Sequence, residues 1–208
     1  MLHAHGEYVL ADQVPANEFL NLEGRKLSTS KGWAIWLHEL KNEIDPDLIR
    51  YYLACTLPEN KDSDFSWSDF QTRVNNDLAD VLGNFAFRTL SFIHRFENGV
   101  IPKPQNLSEE DIKTLKSITI QKQAVEQAME GFRFKEAAGA AMELARIGNR
   151  YFSDGEPWKT RKSEPQLCAN TLYVSAQVCA ALTWLLAPFM PIKMSQLATQ
   201  CNPGSNEH

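Results

Sequence analysis

The sequence predicts a mainly α-helical protein, an antiparallel helix bundle preceded by a short segment of strand and loop. Apolar residues recur at three- and four-residue steps through most of the chain after residue 45, which is the spacing of one helix face. Prolines, glycines and short polar stretches separate these segments, and connections of about two to eight residues suit antiparallel neighbours in a bundle. Residues 1–44 show no helical period of useful length.

Composition is that of an ordinary globular protein, with 43% hydrophobic and 23% charged residues. The net charge of -5 argues against a strongly basic, nonspecific nucleic-acid binder, but it leaves RNA recognition by a small local patch open. Residues 1–6 lack the basic and then apolar character of a signal peptide, and the apolar stretch 178–190 is too short to span a bilayer. We therefore expect a cytoplasmic protein.

The four cysteines form no C-x-x-C pair, and the histidines show no metal-ligand spacing. We expect reduced, mostly buried thiols and no metal site.

The elements near the start are short. Two short apolar runs, around Tyr8–Leu10 and Phe19–Leu22, are broken by Pro15 and Gly24, and the segment is predicted to be strand and loop. The first clear helix begins at Asp45-Pro46, where an N-cap acceptor precedes a proline at the first helical position, and it should end before Pro58.

A long helix is predicted next, from Ser66 or Ser68 to about Phe96, roughly 40 Å at ~1.5 Å per residue. Its apolar stripe consists of Val74, Leu78, Val81, Phe85, Phe92 and Phe96. Because further apolar residues widen this stripe, we expect the helix to lie at the centre of the bundle.

The remaining helices follow from capping signals. Ser108 and Asp111 form a capping box that begins a helix running to about Glu130, and Gly131 closes it. Further helices are predicted over about residues 134–152, 166–186 and 190–201. Residues 153–157 read as a break between helices, and Pro165 as a helix start.

A first candidate site is the hydroxyl-rich loop Lys26–Gly32. Its cations and hydroxyls, in Lys26, Ser28, Ser30 and Lys31, are groups that hold anionic phosphate oxygens, and glycine lets the backbone approach closely. The spacing is not that of a P-loop. An ordinary surface turn is the alternative.

A second candidate is the pair Asn84 and Arg88, which lie four residues apart and so share one helix face. An amide and a guanidinium can present donors and an acceptor to base edges, and arginine can stack on a base. The alternative is a solvated polar edge.

A third candidate is Trp158, which follows Pro157 in the predicted break. It could offer a stacking platform for a base, with a fringe of phosphate-binding cations at Lys159, Arg161 and Lys162. The alternative is a tryptophan that packs on the end of the bundle.

The order of these features resembles methionyl-tRNA synthetases over about residues 3–197. Residues 23–32 look like the KMSKS loop of class I aminoacyl-tRNA synthetases: Lys26, Ser28 and Ser30 agree, whereas Thr29 stands where the family usually has its second lysine. Lys31 lies two positions later and is a candidate replacement. Residues 45–53 and 64–78 resemble the stem-contact region and the entry to the anticodon-binding bundle.

The resemblance implies roles for the candidate residues. Asn84 and Arg88 match the N-x-x-x-R element that contacts the CAU anticodon of methionine tRNA. Asp80 stands where some members have another asparagine. Trp158 matches the tryptophan on which an anticodon base stacks, while Asn149 and Tyr151 are expected to be structural.

For the loop, the resemblance implies that Lys26, Ser28, Ser30 and Lys31 hold the phosphates of ATP during activation of methionine, an electrostatic role in catalysis. The HIGH-like motif of the nucleotide-binding half does not occur here, so we expect the chain alone to be catalytically inactive although the full-length ligase is an enzyme.

The resemblance also implies three regions. Residues 1–44 would end the α/β catalytic domain, 45–66 would form a stem-contact linker, and 67–208 would form the anticodon-binding bundle. Two alternatives stay open. One is another synthetase of the same subclass (isoleucyl, valyl, leucyl or cysteinyl), and the other is a helical interaction module without RNA binding.

Overall fold

The computed structural model describes residues 6, 8–40 and 43–201 of the chain. Near the start, strands β1 (Leu20–Leu22), β2 (Arg25–Lys26) and β3 (Ser63–Phe65) form a small sheet in the order β2-β1-β3. β1 runs antiparallel to β2 and parallel to β3. The run Phe19–Leu22 overlaps β1, whereas Tyr8–Leu10 lie outside the strands of the described residues and their side chains are exposed.

Between β2 and β3 the described residues form two helices, α1 (Leu37–Leu40) and α2 (Pro46–Thr56). The start of α2 is confirmed, because the Asp45 side chain accepts a hydrogen bond of 3.0 Å from the backbone N–H of Asp47. It ends two residues before Pro58, as predicted.

The predicted long helix is confirmed in its extent, but its hydrogen bonding changes along its length. It consists of α3 (Trp67–Arg73), a π-helical segment (Val74–Gly83) and α4 (Asn84–Phe96), which follow one another without a gap. In a π-helix each N–H bonds the carbonyl five residues back, so a turn holds more residues than an α-helical turn.

Helix α5 (Glu109–Glu130) begins at the predicted capping box, in which the Asp111 N–H donates to Ser108 Oγ (3.2 Å) and the Ser108 N–H donates to Asp111 Oδ2 (2.9 Å). It ends at Glu130 with Gly131 at the C-cap, as predicted, but the left-handed residue that closes the helix is not the glycine. Gly131 keeps a φ of -85°, and Phe132 takes the left-handed conformation at φ 56°. The Arg133 N–H then closes the end by donating to the Ala128 carbonyl (2.8 Å).

Four more helices follow up to residue 201, the last that the structure describes: α6 (Phe134–Asp154), α7 (Pro157–Ser163), α8 (Pro165–Leu185) and α9 (Pro191–Cys201). The short helix α7 was not predicted. The break is limited to Gly155 and Glu156, and Pro157 occupies the first helical position, where its missing N–H costs nothing.

The helices bury one large core, to which α4, α5, α6, α8 and α9 all contribute. Buried alanines on α6 such as Ala138 and Ala141 permit close packing of the neighbouring helices. At Gly148 there is no room even for a methyl group, because a Cβ there would lie 2.6 Å from the Phe85 ring. A second cluster joins the sheet to α2 and α3. Helix α2 links the two, because Tyr51 belongs to the first cluster and its neighbour Tyr52 to the second.

In the part of the chain that the structure describes, no helix is long and apolar enough to cross a membrane. The cysteines are free, with Cys168 and Cys179 buried and Cys55 and Cys201 partly buried. Burial raises the pKa of all four thiols.

Candidate nucleic-acid interface

Arg88 lies on α4 at its contact with α6, with its guanidinium fixed by α6. The guanidinium donates to Asn149 Oδ1 and approaches Ser153 Oγ at 3.4 Å. It also stands over the ring of Phe152, with 5.0 Å between the guanidinium carbon and the ring centroid. Asn149, expected to be structural, therefore positions the Arg88 guanidinium.

Trp158 is the second residue of α7, where Pro157 anchors the helix by burial. Its indole packs on the ring of Phe152 at 6.3 Å between centroids and 44° between planes. The tryptophan nevertheless stays 44% exposed, whereas Phe152 is fully buried. One side of the Trp158 indole thus packs against the buried Phe152 ring, while the rest of the side chain is exposed to solvent.

Arg88 and Trp158 share Phe152 as a neighbour, and this ring begins a row of aromatic contacts. We call Trp158, Phe152, Phe92 and Phe96 the aromatic row. Phe152 meets Phe92 edge-on at 5.7 Å, and Phe92 meets Phe96 at 5.1 Å. Edge-to-face pairs of this kind favour fixed ring positions.

The predicted phosphate-binding cations lie on α7. Arg161 stacks on the end of the aromatic row, with its guanidinium carbon 3.9 Å from the Phe96 centroid. Lys159 pairs with Glu156 at 2.7 Å, and Lys162 is exposed. Arg161 is therefore part of the same surface as Trp158, whereas Lys159 would have to exchange its carboxylate partner for a phosphate.

Asn84 lies one turn before Arg88, on an exposed part of α4. Its side-chain nitrogen donates to the backbone carbonyl of Asp80 (3.1 Å). An asparagine amide has a second N–H and a carbonyl oxygen, so it keeps a donor and an acceptor for a base edge.

Tyr151 was the other residue expected to be structural. Tyr151 is buried, and its hydroxyl donates to Asp111 Oδ1 at 2.6 Å. Burial, followed by the Asp111 carboxylate, raises the pKa of this hydroxyl. On the other side of α6, Phe152 and Ser153 contact Arg88, and neither was a candidate. Their only sequence signal is the helical spacing from Asn149 by three and four residues.

The KMSKS-like loop lies with the sheet and the second cluster, apart from this surface. Ser28 and Trp33 pair through two backbone hydrogen bonds of 2.8 and 2.9 Å, which close the loop. The hydroxyls of Ser28 and Ser30 are 3.3 Å apart. Lys26 is exposed and stands over the Phe19 ring at 4.9 Å, and Lys31 is exposed at the tip. Two of the four candidate side chains thus lie together, with a cation on each side.

Trp33 anchors this loop, because its indole N–H donates to the Leu22 carbonyl at 3.0 Å and Arg25 stacks on its ring at 5.0 Å. Among residues 6, 8–40 and 43–201, no group of histidine, cysteine, aspartate or glutamate side chains could hold a metal ion.

Comparison with known proteins places both regions. Residues 1–90 match the family profile described as tRNA synthetases class I (M), and residues 101–207 match the one described as the anticodon binding domain of methionyl tRNA ligase. The methionine–tRNA ligase of Salinibacter ruber is 54% identical over 196 residues, which cover 92% of this chain and 28% of that protein. That of Flavobacterium johnsoniae is 46% identical, over 100% of this chain and 30% of the relative.

Among solved structures, Mycobacterium tuberculosis methionyl-tRNA synthetase in complex with methionyl-adenylate aligns with a TM-score of 0.81 at 28% identity, over 88% of this chain and 36% of that one. The chain thus spans about 30% of the length of the curated relatives it matches. The chain belongs to the methionyl-tRNA synthetase family, and residues 101–207 correspond to its anticodon-binding domain.

Proposed function

We propose that this chain is the tRNA-reading part of a methionine–tRNA ligase and that it binds the CAU anticodon of methionine tRNA. The observation that carries the proposal is Trp158, 44% exposed and supported by a fully buried ring that also holds Arg88. A tryptophan placed in this way can accept a base without losing its own packing.

On binding, bases of the anticodon loop unstack and expose their edges. One base stacks on Trp158, a contact worth about 1–3 kcal/mol. Others bond to Asn84 and Arg88, which lie one helical turn apart on α4. Because Asn149 and Ser153 orient the guanidinium beforehand, little side-chain entropy is lost when a base meets it.

The backbone phosphates of the loop meet the cations of α7. Arg161, already stacked on Phe96, offers a fixed charge, and Lys162 a mobile one. Lys159 binds a phosphate after its ion pair with Glu156 breaks. Three cations on a chain of net charge -5 suit local recognition rather than nonspecific binding.

In the full-length protein, the same tRNA would receive methionine from an adenylate made with ATP. Lys26, Ser28, Ser30 and Lys31 would contact the ATP phosphates, with Lys31 taking the part of the lysine that Thr29 replaces. Residues 1–44, 45–66 and 67–208 would serve as the end of the catalytic domain, the stem-contact linker and the anticodon bundle. The site of action would be the cytoplasm.

The test is the affinity of a fluorescently labelled CAU stem-loop for the protein and for two tryptophan variants. Trp158→Ala should weaken binding by roughly 5- to 150-fold, as expected for one lost stacking contact. Trp184→Ala is the matched control, because Trp184 is 82% exposed on α8, away from the aromatic row, and should leave the affinity unchanged.

Equal loss in both variants would contradict the stacking role of Trp158. No binding by the unaltered protein at low salt would overturn RNA recognition and favour a helical interaction module.

A further inference from the structure

The π-helical segment ends at Gly83, directly before Asn84. The backbone N–H of Asn84 donates to the carbonyl of Ala79, five residues back, and also to that of Val81, three residues back. In an α-helix it would instead donate to the carbonyl of Asp80, four residues back. In the π turn, the acceptor of the Asn84 N–H is therefore shifted from Asp80 to Ala79. The Asp80 carbonyl does not receive the hydrogen bond that the Asn84 N–H would donate in an α-helix.

The Asn84 side chain takes up that carbonyl, with 3.1 Å between Nδ2 and the Asp80 oxygen. A carbonyl oxygen can only accept, so the NH₂ end of the amide must face it. The bond thereby fixes which way the amide points and turns its oxygen away from Asp80. Asp80 contributes through its backbone, so its acidic side chain is compatible with this role.

Gly83 is the last residue of the π-helical segment, and the turn leaves little room for a side chain at this position. A Cβ at Gly83 would lie 2.9 Å from the Leu78 carbonyl oxygen, and that atom is backbone of the same turn. The φ of Gly83 is -63°, so its conformation does not itself require glycine. Alanine would also be the better helix former. The benefit of glycine here is the close approach to Leu78.

The helix beyond the turn cannot easily move to relieve such a contact. Phe85 is fully buried and packs against Gly148, where not even a Cβ would fit. Arg88 is tied to α6 through Asn149. A side chain at position 83 would therefore displace the turn from Leu78 to Asn84 rather than α4 as a whole.

We propose that Gly83 is a positioning residue for Asn84: it permits the π turn in which the Asp80 carbonyl orients the Asn84 amide for an anticodon base. This role rests on the proposed function, since it assumes that Asn84 contacts RNA. The role is distinct from overall stability, because a side chain at position 83 displaces only the turn that carries Asn84, while the buried Phe85 keeps α4 in place.

The experiment measures CAU stem-loop affinity and thermal stability for Gly83→Ala, Asn84→Ala and the double variant. Gly139→Ala is the matched control, because Gly139 is an exposed helical glycine on α6 whose added Cβ would meet nothing within 4 Å. We expect Asn84→Ala and Gly83→Ala each to weaken binding roughly tenfold, the order of one lost base-edge contact. Gly139→Ala should bind as the unaltered protein does, and all variants should stay folded.

The double variant separates positioning from an independent effect. If Gly83 acts through Asn84, Gly83→Ala should cause no further loss of affinity in the Asn84→Ala background. In nuclear magnetic resonance spectra, the side-chain NH₂ of Asn84 should exchange with solvent faster in Gly83→Ala than in Gly139→Ala. Additive losses, or unchanged exchange of that amide, would overturn the proposal.

Failure of the two proposals can be told apart. No binding by the unaltered protein, or no loss in Asn84→Ala, would refute the anticodon contact itself. Loss in Asn84→Ala with normal affinity in Gly83→Ala would leave that contact standing and refute the role of Gly83.

Discussion

Replacing Phe152 with leucine removes the ring that Trp158 and Arg88 share. Leucine can fill much of the space, so the change tests the ring rather than the volume. Phe152 is fully buried, meets Trp158 and Phe92 at 6.3 and 5.7 Å, and carries the Arg88 guanidinium at 5.0 Å.

The size of the effect follows from these contacts. Aromatic pairs are worth about 0.5–1.5 kcal/mol each and a cation–π contact about 0.5–2 kcal/mol beyond burial. Because contacts on one ring do not add fully, we expect Phe152→Leu to lower the free energy of unfolding by about 2–3 kcal/mol. For a chain of this length that corresponds to a melting temperature lower by about 4–12 °C.

The assay pairs urea unfolding with stem-loop binding under conditions in which the variant remains folded. Phe70→Leu is the control: Phe70 is a buried ring with several aromatic partners, but it lies in the second cluster beside the sheet. Both variants should lose stability, and only Phe152→Leu should lose affinity for the CAU stem-loop. Normal affinity in folded Phe152→Leu would refute the claim that this ring positions the site.

Four further outcomes are expected. In Asn149→Ala the Arg88 guanidinium loses an acceptor, so both stability and stem-loop affinity should fall. The free energy of unfolding should be lower by about 1.5–3 kcal/mol, the value of a hydrogen bond to a charged group. An unchanged free energy in urea unfolding and an unchanged affinity would contradict this. Asp45→Asn keeps the helix cap but loses the 2.6 Å ion pair with Lys193, which lowers the pKa of Asp45 below its ordinary 3.8. A depressed folded pKa adds stability above the ordinary value, so the variant should be less stable by about 0.2–1 kcal/mol at pH 7 in urea unfolding. The difference should shrink once the pH falls below 3.8 and disappear as it passes through the lower pKa of Asp45 in the folded protein. Cys179, buried and with a raised pKa, should resist Ellman's reagent until urea is added. The purified chain should show no methionine-dependent pyrophosphate exchange, and a steady exchange rate would contradict that expectation.

The helices were predictable because their signals are local. Asp45-Pro46 and the Ser108–Asp111 box satisfy exposed N–H groups within a few residues, so sequence alone reveals them. Helix α7 was missed because seven residues with three cations carry no apolar period. The π segment was hidden because an apolar stripe at three- and four-residue steps fits either hydrogen-bond register.

The candidate site was predictable only in part, for a physical reason. Resemblance could propose Asn84, Arg88 and Trp158 one by one, since each sits in a short motif. The contacts that make a surface of them span the fold: Arg88 and Asn149 are 61 residues apart in sequence. Such pairing depends on how α4, α6 and α7 pack, which no local pattern encodes.

Recognition of the CAU anticodon by this surface is tested by a series of stem-loops in which each anticodon base is replaced in turn. At one fixed salt concentration the CAU loop should bind most tightly. Each replacement should weaken binding by about 5- to 150-fold, as expected for the loss of a single base contact. In Trp158→Ala, the difference in affinity between the CAU loop and the replaced loops should be smaller. Equal affinity for every loop would contradict the account.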